Sequence, residues 1–280
     1  MTVQRIGFAY NPTIEQAIEL SERAAGWCRM HGVEQWAIAA DDTAAMCARL
    51  PETDVLVVLG GDGTFLRAVQ AVIAVDVPIL GINLGRIGFL SKAETDELES
   101  VLELLQNGSF ELRPRMGLAG AILPAGRPAA MRFTALNDIV IARGSLARVV
   151  RISASIDESH LATFIADGLV VSSPTGSTGY SFSAGGPILD PHSRNLVVTP
   201  IAGYLSAIRS IVVSPHQVVR CQILDAYEAL VSIDGREDHR IEVGDVVEVR
   251  ALERPIRFVE PSGSMPFWDL LRTKVQLLPS

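Results

Sequence analysis

Residues 54–64 read DVLVVLGGDGT. The run 54–59 is short and apolar after its first residue, and Gly60-Gly61-Asp62-Gly63-Thr64 breaks it abruptly. A valine- and leucine-rich run of this length, closed by glycines, predicts a buried parallel strand entering a tight loop. Glycines permit backbone conformations and close approaches that a Cβ forbids. In α/β sheets, a loop at the carboxyl end of a strand is where ligands bind. Asp62, the one charged residue of the loop, would face that crevice. Residues 65–74 predict a following helix whose N-terminus favours anionic oxygen. The same letters also suit an ordinary strand-to-helix turn with a capping aspartate, and spacing alone leaves both readings open.

Outward from this stretch, strands and helices alternate. Residues 5–10 (RIGFAY) predict a first strand, 13–30 a helix ended by Gly32, 33–38 a second strand, and 77–83 a fourth. A second glycine-punctuated loop, LGRIGFL, spans 84–90. Thr95 is expected to cap a helix with Asp96 and Glu97 in its first turn. Leu98, Val101, Leu102 and Leu105 share one face of it, and Asn107-Gly108 closes it. Such alternation predicts an N-terminal α/β domain built on a doubly wound, mostly parallel sheet.

Beyond Arg113 the hydrophobic period changes to two. Val150, Ile152, Ala154 and Ile156 alternate with polar residues, as do Val219, Cys221 and Ile223, Val247 and Val249, and Met131, Phe133 and Ala135. These are half-buried antiparallel strands, so a C-terminal all-β, sandwich-like domain is expected. The expected organisation is an N-terminal domain over 1–113, a β domain over 114–261 and a tail over 262–280, with a surface loop at 123–130. A cleft between two domains is a favoured ligand site. One segment departs from the β pattern: 167–191, DGLVVSSPTGSTGYSFSAGGPILDP. Hydroxyls and amides at Thr175, Ser177, Thr178, Tyr180, Ser181 and Ser183 suit either a polar ligand or a solvated loop. The apolar sequence on both sides favours a segment held against the core.

Composition narrows the functions. The chain has 280 residues, 48% hydrophobic and 20% charged, which suits a globular protein. No apolar stretch approaches the roughly 18 residues of a membrane span, and no signal peptide is visible. Three widely spaced cysteines, Cys28, Cys47 and Cys221, form neither a zinc pattern nor a disulfide framework, so a reducing cytoplasm is expected. A net charge of −8 argues against general nucleic-acid binding. There are 22 arginines and only two lysines, Lys92 and Lys274. A lysine-bearing phosphate loop is therefore excluded, and any phosphate grip should rest on backbone amides, arginine or a metal ion. The five histidines show no metal-type spacing, no metal ligands are assigned, and Gly176-Ser177-Thr178-Gly179 is not a hydrolase elbow. Trp268 is expected to anchor the tail.

GGDGT at 60–64, LGRIGFL at 84–90, LND at 136–138 and the segment 167–191 together resemble the NAD kinases, which convert NAD to NADP with ATP or polyphosphate. GGDGT alone also resembles the lipid kinases acting on diacylglycerol and sphingosine; the combination with PTGSTGYSFSAGGP is far more specific. The resemblance extends from the first strand to FWDLLRTKVQL at 267–277. It implies that the last residues return to the first domain, and that the protein is a homodimer or homotetramer. It also implies that Asp62 is the proton acceptor. NAD contacts carried over are Asp62, Gly63, Arg67, Asn137, Asp138, Arg148, Asp167, Thr178, Gly179, Tyr180, Ser181, Phe182, Ser183 and Arg236. Gly60, Gly61, Gly63 and Thr64 form the phosphate loop. Asp138 stands where the family usually has Glu, Gly179 where alanine is commoner, and 200–205 and Arg209-Ser210 depart from the family's pattern.

Phosphorylating the ribose 2′-hydroxyl requires that the hydroxyl be positioned, its proton accepted and the transferring phosphoryl stabilised. Asp62 suits the base; ribose orientation, or holding Mg²⁺ through water, remains open for it as well. Mg²⁺, or another divalent metal, is expected to travel on the donor's phosphates. The competing functions are a lipid kinase sharing the glycine motif and an NAD-binding sensor without turnover.

Overall fold

The apolar run ahead of the glycines forms a strand with no exposed side chain, and it lies inside a parallel sheet. In the computed structural model the chain is described at residues 2–85, 88–126, 130–145, 148–204 and 208–276. Its backbone divides into two units, Met1–Pro114 with Ile256–Ser280, and Arg115–Pro255.

The first unit is α/β. Strands β1 (Arg5–Tyr10), β2 (Glu34–Ala39), β3 (Val55–Leu59) and β4 (Ile79–Asn83) pair in parallel in the order β2-β1-β3-β4. Helices α1 (Glu15–His31), α2 (Thr43–Arg49) and α3 (Asp62–Val75) make the crossovers, and α4 (Leu98–Gln106) follows β4. From β1 the chain steps to one side and then crosses to β3 and β4 on the other. The carboxyl ends of β1 and β3 thus flank a topological switch point, the usual ligand position of such sheets. Helix α2 escapes the sequence pattern because seven residues give too little periodicity to read; Asp42 caps it by accepting the Ala45 amide at 2.9 Å. Thr95 is not the cap of α4. Residues Thr95–Glu97 are a 3₁₀ turn, and Glu94 and Glu97 make a reciprocal capping box ahead of it.

The sheet is completed from the far end of the chain. Ile256–Pro261, which the sequence reading leaves in the β domain, pairs in parallel with β4, and Phe110–Arg115 lies next in the sheet order. The strand is held by ring packing of Phe258 on Phe65, 5.2 Å between centroids. Glu260 adds ion pairs with Lys92 at 2.8 Å and Arg113 at 3.6 Å. A final helix, Phe267–Gln276, sets Phe267 6.2 Å from the Phe89 ring. Leu270 is the buried anchor of this helix; Trp268, expected in that role, is 53% exposed and lies edge-on to Phe267.

The second unit is an antiparallel sandwich. One sheet runs in the order Ser159–Ala166, Val150–Ile156, Val219–Asp225, Val246–Ala251, Leu118–Leu123, Met131–Ala135. The other runs Ile211–Val213, Leu196–Ile201, Gly168–Ser172, Asp138–Arg143, Ala229–Ile233, Glu237–Ile241. The alternating residues do what their period demands. Val150, Ile152, Ala154, Val219, Cys221, Ile223, Val247 and Val249 meet Ile139, Ile141, Leu169 and Val171 in one core. Within 123–130, Leu123 ends a strand, 124–126 and 130 lie outside regular structure, and Pro128 is among the residues outside the described set. Among the described residues no helix is long and apolar enough to cross a membrane.

Candidate active site

In the first unit the glycine loop is shorter than its sequence suggests. Helix α3 begins at Asp62, three residues ahead of the expected start, with Gly61 as its N-cap. None of Gly60, Gly61 and Gly63 takes a positive φ. Gly60 is required by close approach: a Cβ there would lie 2.6 Å from Thr64 Oγ1. The Thr64 and Phe65 amides turn back to the Gly61 carbonyl at 2.9 and 3.1 Å. Those of Asp62 and Gly63 have no intrahelical acceptor, by the geometry of any helix start, and they carry the positive end of the helix dipole. The space beside Gly63 is open, and Arg67 is exposed on the same helix.

The Asp62 side chain turns to the segment after β4. It fills the place a side chain on Gly88 would take: a Cβ there would lie 2.9 Å from Asp62 Cγ. Gly88 donates its own amide to Ser91 Oγ at 2.8 Å, which fixes the turn. Of the loop 84–90, Arg86 and Ile87 lie outside the described residues. Burial raises the Asp62 carboxyl above the ordinary carboxylate range; the Leu90 and Phe89 amides and the charge of Lys274 oppose this without cancelling it. Oδ1 is buried and has no hydrogen-bond partner among the described residues. A buried acceptor of this kind is costly unless something donates to it. Lys274 adds to the sequence reading, which used the lysines only to exclude a lysine-bearing phosphate loop. The final helix returns one of them to the neighbourhood of Asp62, and only the tertiary fold could reveal it.

In the second unit, Asn137 and Asp138 sit at the start of the central strand Asp138–Arg143. Asp138 is buried and pushed up to about 7, first by desolvation and then by the charge of Asp234. Asp234 is also buried; it accepts the amides of Leu136 at 2.9 Å, Asn137 at 2.7 Å and Asp138 at 3.1 Å. Asn137 Oδ1 and Arg236 Nε, two residues beyond Asp234, are buried without a partner among the described residues. A Cβ on Gly179 would stand 3.8 Å from Asp138 Oδ2 and 3.2 Å from the Gly176 carbonyl, so the alanine commoner in the family would need a small shift here. Asn137, Asp138, Gly179 and Arg236 thus converge, and Asp234, absent from the sequence-predicted set, ties them together.

The hydroxyl-rich segment is two short helical turns, Thr175–Thr178 and Tyr180–Ser183. Two of its hydroxyls are structural. Ser177 donates to the Pro174 carbonyl at 2.7 Å and accepts the Leu189 amide at 2.9 Å. Ser181 is buried 3.4 Å from Thr199 Oγ1. Thr178 Oγ1 donates to Thr175, and Thr175 Oγ1 is buried without a partner among the described residues. Tyr180, Phe182 and Ser183 are exposed. Asp167 stands apart, before the strand Gly168–Ser172, whose far end pairs with Asp138. That separation is about 17 Å at ~3.3 Å per strand residue. Asp167 is gripped by Arg143 through contacts of 2.8 and 3.0 Å. Arg148 is exposed over the Tyr227 ring, 5.5 Å from its centroid.

A helix start beside a carboxylate whose Oδ1 is buried without a partner among the described residues, on a doubly wound sheet, suits an enzyme that handles phosphate esters. Residues 5–110 match the family described as the ATP-NAD kinase N-terminal domain, and residues 136–261 the ATP-NAD kinase C-terminal domain. The NAD kinase of Syntrophotalea carbinolica is 38% identical over 98% of each chain. That of Chloroflexus aurantiacus is 35% identical over 98% of this chain and 99% of its own. The chain belongs to the NAD kinase family. Among solved structures, yeast NADH kinase complexed with NADH shares the fold, with a TM-score of 0.84 at 24% identity over 99% of this chain and 88% of that one. An NAD kinase from Archaeoglobus fulgidus in complex with ATP aligns with a TM-score of 0.76 at 25% identity, over 98% of this chain and all of its own.

Proposed function

We propose that this enzyme transfers the terminal phosphoryl group of ATP, or of polyphosphate, to the 2′-hydroxyl of the adenosine ribose of NAD. The observation that carries this is Asp62 Oδ1, a buried carboxylate oxygen with no partner among the described residues, at the first turn of α3. In this reading the 2′-hydroxyl donates its hydrogen bond to that oxygen. As the ribose oxygen bonds to phosphorus and the bond to the donor's bridging oxygen breaks, the proton passes to Asp62 and ADP, or the polyphosphate shortened by one unit, leaves. General-base catalysis of this kind contributes about 10²–10⁴-fold. The amides of Asp62 and Gly63 would take donor phosphate oxygens, as helix N-termini do. Mg²⁺ would arrive on the donor and neutralise phosphate charge there; the same unpartnered oxygen also suits a water of its shell.

The second unit would hold the dinucleotide. Asn137 Oδ1 and Arg236 Nε, buried without partners among the described residues, support those two as ligand contacts beside Asp138. Gly179, Tyr180, Phe182 and Ser183 are carried forward as contacts, with Thr178. Ser181 would act through packing, since its hydroxyl is engaged. Asp167, Arg148 and Arg67 remain proposed contacts. The homodimer or homotetramer implied by the resemblance is also carried forward, and light scattering tests it. The three cysteines are free thiols, which supports a reducing, cytoplasmic compartment.

The test is incubation of the purified chain with NAD, Mg²⁺ and either ATP or polyphosphate, with NADP as readout and NADH and diacylglycerol as alternative acceptors. NADP formation is expected; its absence with both donors, or phosphorylation of the lipid alone, overturns the reading.

A further inference from the structure

Asp234 lies 96 positions along the chain from Asp138, yet the two are bound reciprocally. The Asp234 amide donates to the Asp138 carbonyl at 3.0 Å, while its carboxylate collects the three successive amides of 136–138. The turn that presents it is tight, with Asp234 at φ 50° and Gly235 at φ 63° between the strands Ala229–Ile233 and Glu237–Ile241. Its position is set by register, since Ile233 pairs with Ile139. Three converging amides form an anion nest. Burial raises the Asp234 carboxyl above its ordinary value, while the three amides and the Arg236 charge oppose this and favour its ionised form. Asp138, buried beside it, is the member of the pair that holds a proton. The Gly179 backbone, facing Asp138 from the other side, brings no charge of its own.

We propose that Asp234 is the positioning residue of the dinucleotide-binding pair Asn137–Asp138, and that its negative charge makes NAD binding release a proton from Asp138. This rests on the assignment of the pair to NAD made above. The ribose hydroxyls and exocyclic amine of NAD are hydrogen-bond donors, and a carboxyl that receives donors is stabilised in its ionised form. Asp138 is poised near neutrality, at about 7, so the exchange falls in the working range. Proton release therefore accompanies binding at and just below neutrality and vanishes at alkaline pH, where Asp138 is already ionised.

Calorimetry of NAD binding to the full chain, in buffers of different ionisation enthalpy across this pH range, measures the protons released. The expected result is release in the wild type that Asp138→Asn abolishes. Asp234→Asn should raise the KM for NAD by roughly 10–100-fold, the worth of a charge-assisted hydrogen bond, with a much smaller change in kcat. It should also move proton release to lower pH, which a merely structural role would not do. If that variant does not fold, the wild type and Asp138→Asn still decide the matter. Binding that is proton-neutral at every pH, or release that survives Asp138→Asn, overturns the proposal. So does a folded Asp234→Asn with unchanged KM and unchanged proton release. An Asp138→Ala variant with unaltered NAD affinity overturns the underlying assignment instead.

Discussion

Asp62 stands where Gly88 would carry a side chain: a Cβ on Gly88 would lie 2.9 Å from Asp62 Cγ and 3.0 Å from Oδ2. The two loops carrying the motif glycines are therefore one device, with the second leaving room for the acid of the first. Gly88→Ala must push the carboxylate aside. Its kcat should fall about 10²-fold or more, approaching that of Asp62→Asn, while overpacking destabilises the fold by only about 1–3 kcal/mol. Steady-state kinetics with thermal melts on both variants check this; near-normal turnover in either would remove Asp62 from the base role.

Lys274 should set the acid limb of the pH–rate profile. Asp62 accepts a proton only when ionised, and its pKa is already raised by burial, so activity declines as pH falls through a value above the ordinary carboxylate range. The lysine charge holds that value down, so Lys274→Ala raises it and moves the limb to higher pH. A profile of kcat against pH measures the shift, and an unmoved limb would mean the helix Phe267–Gln276 serves only packing.

Asp138 should make the protein less stable as pH rises. Its folded pKa, about 7, lies above that of an unfolded aspartate, so between the two the folded state binds the extra proton. Stability is then highest at acid pH and is lost as pH rises through about 7. Asp138→Asn keeps the shape and removes this titration, so its melting temperature should exceed that of the wild type at pH 8 and converge with it towards pH 5. Melts across that range decide it; a gap that widens on acidification would contradict the sign.

Ser177 should matter to stability rather than to NAD. Ser177→Ala leaves the Leu189 amide without its acceptor, and a buried unsatisfied group costs about 1–3 kcal/mol. Denaturant unfolding should show that loss with KM for NAD nearly unchanged. A large rise in KM at unchanged stability would return Ser177 to the ligand contacts.

The local periods carried most of the architecture. Val55–Leu59, closed by glycines, could be little other than a buried parallel strand, and Val150, Ile152 and Ala154 could bury one face only as a strand of period two. Both follow from nearest-neighbour geometry, since side-chain direction repeats within a few residues. The motifs also singled out Asp62 in the first unit and Asn137 and Asp138 in the second as candidate functional residues. What the letters could not disclose depends on chain segments far apart in sequence. Ile256–Pro261 joins the first sheet through pairing with β4 and the Lys92–Glu260 ion pair, neither of which leaves a local trace. Lys274 reaches the surroundings of Asp62 because Leu270 and Phe267 dock its helix, and Asp234 reaches Asp138 because two strands pair in one register. Ser177 and Thr175 look alike as hydroxyls in sequence, yet the first is bonded and the second has no partner among the described residues. Sequence by itself therefore determined which elements form and which motif residues to examine. Tertiary structure decided which polar groups are satisfied and which charges are neighbours, because burial and long-range pairing set both.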